Sequence, residues 1–272
     1  SEAKSAVDNS FNVLRNRIDR FGVTQPNIQQ VGSSGKILIE LPGVKDPERV
    51  RKLLQGTASL EFWPTYQGNE VDLYAVDARV SEILRNLGDS TAVANPLFQV
   101  LSPSGWNNAC LGFASGVDTV TVNRYLAMAS DVLPAGFRGM WTVKPTELVQ
   151  GSNLYELVAI KATSRDGKAP LDGGVVTDAR VNFNGAQRGG SGAPSVSMTM
   201  NAEGASVWAR LTKDNIGKQI AIVLDGLVYS YPNVQNEITG GSSEITGNFD
   251  VQEAEDLANV LKSGKLPAPA TI

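Results

Sequence analysis

The sequence predicts an α+β fold: a ferredoxin-like base of two pseudo-repeated halves that share an antiparallel sheet, and an inserted α+β head subdomain. Residues 195–262 have the pattern strand, helix, strand, strand, helix, and residues 5–66 have the pattern helix, strand, strand, helix, strand. Each order is a ferredoxin-like β-α-β-β-α-β unit that lacks one terminal strand. The pattern of apolar residues changes in the chain between these two segments, which indicates an insertion with a small core of its own.

The predicted division follows from this order: the first half of the base over 1–66, the head over 67–170 and the second half of the base over 171–272. In the first segment, apolar residues at intervals of three and four predict a helix over about 5–21. The other elements predicted there are a hairpin of strands 27–31 and 36–41, a helix starting at Asp46-Pro47, and a strand over 59–66.

The head segment mixes helical and alternating patterns. Its predicted elements are helices over 73–87 and 118–130, strand-like pieces near Phe98 and Leu111, and an antiparallel strand pair over 137–143 and 154–162. We expect these elements to form a separate core, joined to the base by two short crossings.

The last third returns to alternating strands and capped helices. Its predicted elements are strands over 175–183 and 195–200, a helix capped by Asn201, a hairpin over 219–232, a strand over 244–249 and a helix starting at Asp250. The glycine-rich run at 185–194 lacks the spacing of phosphate-binding loops and precedes a strand, which favours a flexible hairpin loop.

The hairpin over 219–232 carries the strongest local signal. Asp225-Gly226 stands between two runs of apolar and aromatic residues, and type I′ turns need positive φ at both central positions. Asp225 is therefore interpreted as a turn residue and not as a catalytic carboxylate. From the flanking helices we expect this hairpin to be a central ribbon of the base.

Composition excludes several kinds of site. The chain has 272 residues, a formal net charge of -4 and no basic block, which argues against a nucleic-acid partner. It contains no histidine, so Ser-His-Asp catalysis and histidine-ligated metals are excluded in this segment. Its one cysteine, Cys110, has no cationic neighbour and is expected to be a small buried apolar residue. We therefore predict no catalytic residue, no metal ligand and no cofactor.

The sequence has no membrane-spanning pattern. The longest aliphatic run, Ile220 to Leu224, is far shorter than the roughly 20 residues that a spanning helix needs. The N-terminus has no signal-peptide pattern. Because the chain begins within a helical lead-in, we expect it to be a segment of a longer protein.

Several separated motifs resemble one family. They are LRNRIDRFGV from Leu14, ILIELPGVKDP from Ile37, LDGG from Leu171, TDARV from Thr177, NIGKQIAIVLDGLVYSYP from Asn215, ITGNF from Ile245 and EAEDLANVLKSGKLP from Glu253. In this order they resemble the periplasmic segment of the SecD and SecDF family, accessory membrane proteins of bacterial protein translocation. The resemblance covers about 1–66 and 171–272. Tyr231 and Lys265 depart from residues that are usual in the family.

The resemblance implies a location, partners and a mechanism. It implies the first periplasmic domain of a bacterial inner-membrane protein, with a ferredoxin-like base and a mobile head that contacts an unfolded preprotein. The SecYEG translocon and SecF, or a fused SecF half, are implied as partners of the full-length protein. Proton flow through transmembrane helices outside this segment would drive the head, and only those helices would meet the membrane.

Two sets of residues follow as site predictions. The residues expected to act as hinges at the crossings are Tyr66, Gln67, Gly68, Leu171, Asp172 and Gly173. The residues expected to contact preprotein are four apolar positions of the head, namely Phe98, Phe113, Met140 and Trp141.

Two alternatives remain open at this point. A porter module of an RND-type small-molecule transporter also uses ferredoxin-like subdomains, and it predicts a defined apolar pocket between them. An enzyme would need a working carboxylate pair. The pairs Asp72/Asp77 and Asp225/Glu237 have no spacing tied to one chemistry, and caps, turns or surface positions explain them better.

Overall fold

The computed structural model describes residues 2–20, 26–32, 35–44, 47, 50–51, 54, 59–88, 94–146, 152–183, 194–246 and 249–263. The helices are α1 (Glu2–Arg20), α2 (Leu73–Asn86), α3 (Pro96–Val100), α4 (Thr119–Met128), α5 (Ala202–Asp214) and α6 (Val251–Ser263). The first strands are β1 (Asn27–Val31), β2 (Lys36–Glu40), β3 (Leu60–Pro64), β4 (Ser102–Pro103), β5 (Cys110–Ser115), β6 (Phe137–Trp141) and β7 (Leu154–Lys161). The remaining strands are β8 (Leu171–Asp172), β9 (Val176–Asn182), β10 (Ser195–Met200), β11 (Ile220–Leu224), β12 (Leu227–Ser230) and β13 (Ser242–Ile245). The fold is mixed α+β with several antiparallel sheets.

Helix starts follow the capping residues of the sequence. The Asn201 side chain accepts a hydrogen bond from the Gly204 N–H at 2.8 Å and so caps α5. Asp250 and Glu253 form a reciprocal capping box at α6, with both side chain to backbone bonds at 2.8 Å. The Asp72 carboxylate accepts bonds from two N–H groups of α2, so it serves as a cap. These caps confirm the predicted helix starts at α2, α5 and α6.

The chain divides into two compact units. Unit 1 comprises 1–60, 171–209 and 238–272, and unit 2 comprises 61–170 and 210–237. The predicted base and head remain predictions, and the units differ from them most at 210–237. That segment contains the hairpin, and it belongs to the unit that also holds the predicted head.

The described part of unit 1 contains two separate sheets. β1 and β2 form a hairpin, and β9, β10 and β13 form a three-stranded antiparallel sheet with β10 in the centre. α6 packs on β9 and β10, and α1 packs on α6. Among the described residues, the strands of the two predicted halves do not form one common sheet, so the ferredoxin-like pseudo-repeat is not confirmed. β3 of the first half lies beside β11 of the second half in the strand order β12-β11-β3, whereas β1 and β2 form a hairpin of their own.

Unit 2 is built around β7, which is buried on both faces. It lies in the antiparallel sheet β4-β5-β7-β6. Leu157 and Ala159 belong to the core that β7 shares with α2 and α4, whereas Val158 and Ile160 belong to a second core. Successive side chains of a strand point to opposite faces. Each face of β7 therefore packs in a different core, which explains why all four residues at 157–160 are buried.

The hairpin of β11 and β12 supplies the second core. Ala221, Val223 and Val228 pack with Trp63 and with the face of β7 described above. Asp225 and Gly226 have φ of 51° and 82°, which confirms the predicted turn with two positive φ values. The hairpin prediction is therefore confirmed, and its expected place at the centre of the base remains a prediction.

Four local predictions need correction or fall outside the described residues. Phe98 lies in the helix α3 and not in a strand, because the buried Asp77 carboxylate accepts a bond from the Leu97 N–H at 2.8 Å and holds the helix start. β13 ends at Ile245, earlier than the predicted strand over 244–249. Asp46 and residues 185–193 of the glycine-rich run lie outside the described residues.

Candidate binding groove

A groove of about 600 Å³ lies in unit 2 between α4 and β6. Its lining consists of Asn123, Leu126, Ala127, Ser130 and residues 133–140. Among these lining residues, Arg138 is the one that carries a charge. The volume falls within the range of about 300–1,000 Å³ that is usual for ligand sites.

The helical wall of the groove is held in place by Trp141. Asn123, Ala127 and Ser130 recur at intervals of three and four, so they lie along one side of α4 and the turn after it. The Trp141 indole N–H donates to Asn123 Oδ1 at 2.9 Å, and its ring is buried in the core beneath α4. Trp141 thus fixes the position of α4 against β6.

A tight turn closes the other wall. The Phe137 N–H donates to the Pro134 carbonyl at 3.0 Å, and the Ala162 N–H donates to the Gly136 carbonyl at 2.7 Å. Gly136 has a φ of 69°, and a Cβ there would lie 2.4 Å from the Ala162 carbonyl oxygen, so glycine is required. These bonds therefore fix the wall of the groove that precedes β6.

β6 is an edge strand, and the hydrogen bonds around it show which of its groups face outward. On β7, the Ala159 N–H donates to the Ala109 carbonyl, and the Ala159 carbonyl accepts from Tyr66 N–H, both at 2.9 Å. The backbone groups of Ala159 therefore point away from its partner Gly139. In a non-hydrogen-bonded antiparallel pair, the backbone N–H and C=O groups of both residues point away from each other. The N–H and C=O of Gly139 consequently face the open edge.

The neighbouring bonds confirm this alternation. Gly136 bonds to Ala162, directly after β7, and the Thr142 N–H donates to the Glu156 carbonyl of β7 at 3.1 Å. Among the described residues, neither Gly139 backbone group nor the Phe137 carbonyl has a partner on the side away from β7. The open edge ends after β6, where the Val143 N–H donates to the Val228 carbonyl at 2.9 Å.

The structure brings together two of the four predicted contact residues. Met140 lines the groove, and Trp141 supports it from beneath. Phe98 packs against the ring of Tyr74 with centroids 5.1 Å apart, and Phe113 meets Trp106 at 5.8 Å, both away from the groove lining. Contact of these four residues with preprotein remains a prediction.

Sequence reasoning missed Gly139, Asn123 and Phe137. A glycine inside a predicted strand was the available signal, because such a glycine often marks a close approach by another group. A Cβ on Gly139 would lie 2.9 Å from Leu157 Cδ1 and 3.0 Å from Leu126 Cδ1. Glycine therefore allows α4 to lie close to β6.

The first three predicted hinge residues are tied down within unit 2. The Tyr66 hydroxyl donates to the Ala135 carbonyl at 2.5 Å, and burial raises the pKa of this phenol. The Gln67 N–H donates to Glu70 Oε2 at 2.8 Å, and a Cβ on Gly68 would lie 2.4 Å from the Trp106 carbonyl oxygen. These contacts anchor residues 66–68 to their own unit.

The other three predicted hinge residues lie in unit 1. Leu171 is buried, and Asp172 Oδ1 accepts a bond from the Gly174 N–H at 2.9 Å. A Cβ on Gly173 would lie 3.0 Å from Leu60 Cβ. The hinge role of all six residues remains a prediction.

A partly buried polar cluster joins β5, β7 and the residue that follows β12. The Tyr231 hydroxyl donates to the Glu156 carboxylate, and burial together with this bond raises the pKa of Tyr231. Burial also raises the pKa of the Cys110 thiol to about 12, and the Glu156 charge acts in the same direction. Cys110 is therefore a protonated, enclosed thiol, as its sequence context predicts.

This pKa leads to a test of Cys110 reactivity. At pH 8 a thiol with a pKa of about 12 is roughly one part in ten thousand thiolate, and the thiolate is the reactive form. We expect iodoacetamide to leave Cys110 unmodified in the folded protein under conditions that fully alkylate it in urea. The labelling rate should rise with pH up to the thiol pKa, because the thiolate fraction rises. Equal rates with and without urea, measured by mass spectrometry, would contradict the buried position.

The described residues contain neither a metal-binding cluster of acidic, cysteine or histidine side chains nor a membrane-spanning helix. Within those ranges, no group of three or more His, Cys, Asp or Glu side chains could hold a metal ion. No helix within the described ranges is both long and apolar enough to span a bilayer. The fold is mixed α+β, and the groove between α4 and β6 lies within unit 2.

The chain belongs to the SecD and SecDF family and corresponds to its P1 domain. The family description "Protein translocase subunit SecDF, P1 domain, N-terminal" matches residues 7–67, and "SecDF, P1 head subdomain" matches residues 143–268. The protein translocase subunit SecD of Rhodothermus marinus is 41% identical over 100% of this chain, and that of Syntrophobacter fumaroxidans is 30% identical over 99%. This chain spans 46% and 38% of the length of those two relatives.

Solved structures agree with this assignment. A chain described as a membrane component SecDF that enhances protein export is 28% identical, with a TM-score of 0.54. The match covers 97% of this chain and 90% of that one. A SecDF chain in a super-membrane-facing form is 27% identical, with a TM-score of 0.55, and the match covers 97% of this chain and 27% of that one.

Proposed function

We propose that this segment is a periplasmic module of a protein-export membrane protein and that the groove between α4 and β6 contacts unfolded preprotein. The observation that carries the proposal is an almost uncharged groove along an unpaired strand edge, in a chain of the SecD and SecDF family. A lining with little charge accepts segments of varied sequence. The relatives support export, since they are named protein translocase subunits and one is described as enhancing export.

The proposal has finer parts that concern the longer protein. The inserted head over 67–170 moves, residues 66–68 and 171–173 take part in its hinge, and the ferredoxin-like halves over 1–66 and 171–272 form the base. Proton flow through transmembrane helices outside this segment drives the movement. The SecYEG translocon and SecF, or a fused SecF half, are partners of the full-length protein in the bacterial inner membrane. The translocase relatives favour this function over an RND-type small-molecule porter.

Site-specific photo-crosslinking tests the proposal. Benzoylphenylalanine is placed at Ala127, an exposed position that lines the groove, or at Arg124, an exposed control one turn earlier on α4 that does not line it. The 272-residue chain is mixed with a precursor protein diluted from urea and then irradiated.

We expect the Ala127 position to crosslink to the unfolded precursor severalfold more than the Arg124 position. A large excess of unlabelled precursor should remove this signal. Equal crosslinking at the two positions, or none at Ala127, would overturn the assignment of the groove as the contact site.

A further inference from the structure

We infer that the groove binds polypeptide by strand addition, in which an extended, uncharged or acidic segment pairs with β6 through the backbone N–H and C=O of Gly139. This inference rests on the proposed function and states how the groove recognises its ligand. Strand addition to an exposed sheet edge is a general mode of peptide recognition, in which main-chain hydrogen bonds bind the peptide.

The backbone geometry carries the inference. The N–H and C=O of Gly139 both face the open edge, and these are the two groups that one residue exchanges with a partner across an antiparallel ladder. The Phe137 carbonyl adds a third group on the same side. Residues 137–139 extend for roughly 10 Å at about 3.4 Å per residue. This length suits a peptide segment of about three residues.

The groove meets this edge directly. Four consecutive residues, Phe137 to Met140, line it. Because successive strand side chains alternate between faces, a cavity that touches all four must pass beside the strand edge. The added strand would therefore lie along the open edge of β6, facing Asn123 and Ala127 of α4 and Ser130 in the turn after it.

The edge is already used for pairing at its far end. Thr142 forms a parallel bridge with Val228, and the Val143 N–H donates to the Val228 carbonyl. Only the stretch before this contact is open among the described residues. A bound peptide would thus extend the strand pairing that β12 makes with the end of this edge. Such pairing requires the peptide to have an extended backbone.

The charge of the groove lining restricts which peptides the groove can bind. Arg138 carries the charge of the lining, and its guanidinium carbon lies 5.4 Å from the centre of the Trp63 ring. A cationic segment would be repelled by this group, whereas neutral and acidic segments would not. Main-chain recognition otherwise makes little distinction between sequences, as expected for a site that meets many preproteins.

Amide hydrogen exchange tests the inference at one residue. The probe is a fluorescein-labelled ten-residue peptide of alternating serine and valine, and its binding to the 272-residue chain is measured by fluorescence anisotropy. Exchange of the Gly139 and Met140 amides is then followed by NMR without peptide and at saturating peptide. Met140 is the matched control, because its N–H belongs to the ladder with β7 by the alternation described above.

We expect peptide to slow exchange at Gly139 by about tenfold or more, and to leave the already slow Met140 amide nearly unchanged. A fully N-methylated peptide of the same sequence should bind about tenfold more weakly or worse, because it lacks backbone donors. Binding without protection of Gly139 would overturn strand addition and leave the proposed function standing. No binding of any unfolded polypeptide would overturn the proposed function itself.

Discussion

Replacement of Val223 by aspartate is expected to destabilise unit 2 strongly. Val223 is fully buried in the core that β11 shares with Trp63 and β7. An aspartate there loses the apolar burial and places a carboxylate among the apolar side chains of this core. The cost is roughly 3–5 kcal/mol, the range seen when an uncompensated charge is left in a protein interior. Urea unfolding followed by tryptophan fluorescence measures the change.

The same hairpin provides a matched control. Leu227 is 42% exposed at the start of β12, so Leu227→Asp should change the free energy of unfolding by at most about 0.5 kcal/mol. Both variants add one negative charge to the same hairpin, so a difference between them reports burial. If the two variants were equally stable, the packing of β11 in this core would be wrong.

Replacement of Trp141 by alanine is expected to destabilise unit 2 and to loosen the groove. The substitution removes a buried indole from beneath α4 and leaves Asn123 without its donor. Large-to-small changes of this kind cost about 3–5 kcal/mol. Thermal unfolding measures the loss of stability, and peptide anisotropy measures the effect on the groove.

Two further substitutions separate packing from hydrogen bonding. Trp141→Phe keeps an aromatic ring but lacks the N–H, so it should cost less than Trp141→Ala and still lose a bond of about 1 kcal/mol. Trp106→Ala removes an exposed tryptophan of the same unit and should be much milder. A Trp141→Ala protein as stable as Trp106→Ala would exclude the supporting role of Trp141.

Local chemistry made much of the fold predictable. The Asp225-Gly226 turn, the Asp250 and Glu253 capping box and the antiparallel pair of β6 and β7 depend on residues close in sequence or on simple alternation. Each could be predicted from the sequence because the backbone conformation or the hydrogen bonds at that position require specific residue types. Phe98 was misread because the start of α3 depends on Asp77, which is distant in sequence.

Tertiary placement was harder to predict. Proximity in sequence suggested that the hairpin of β11 and β12 belonged with its flanking helices. All five residues of β11 are buried, and the Ala109 N–H donates to Gln219 Oε1 at 3.2 Å, which ties the strand to a distant loop. Such long-range partners leave no local pattern.

For the same reason, only part of the candidate site could be predicted from the sequence. Met140 and Trp141 stood out as apolar residues of the predicted head. The role of Gly139 depends on the order of strands in the sheet and on the bonds of Ala159. These are properties of the assembled sheet, which the sequence of β6 alone does not contain.

The discontinuity of unit 2 affects how this protein is made. Its first segment, 61–170, is synthesised long before 210–237, which supplies β11 and β12. Until that later segment leaves the ribosome, Val158 and Ile160 lack the apolar cover that completes their core. Late closure of a core through distant contacts slows folding and prolongs exposure of apolar surface. A truncated fragment that ended at residue 170 would keep this surface exposed permanently.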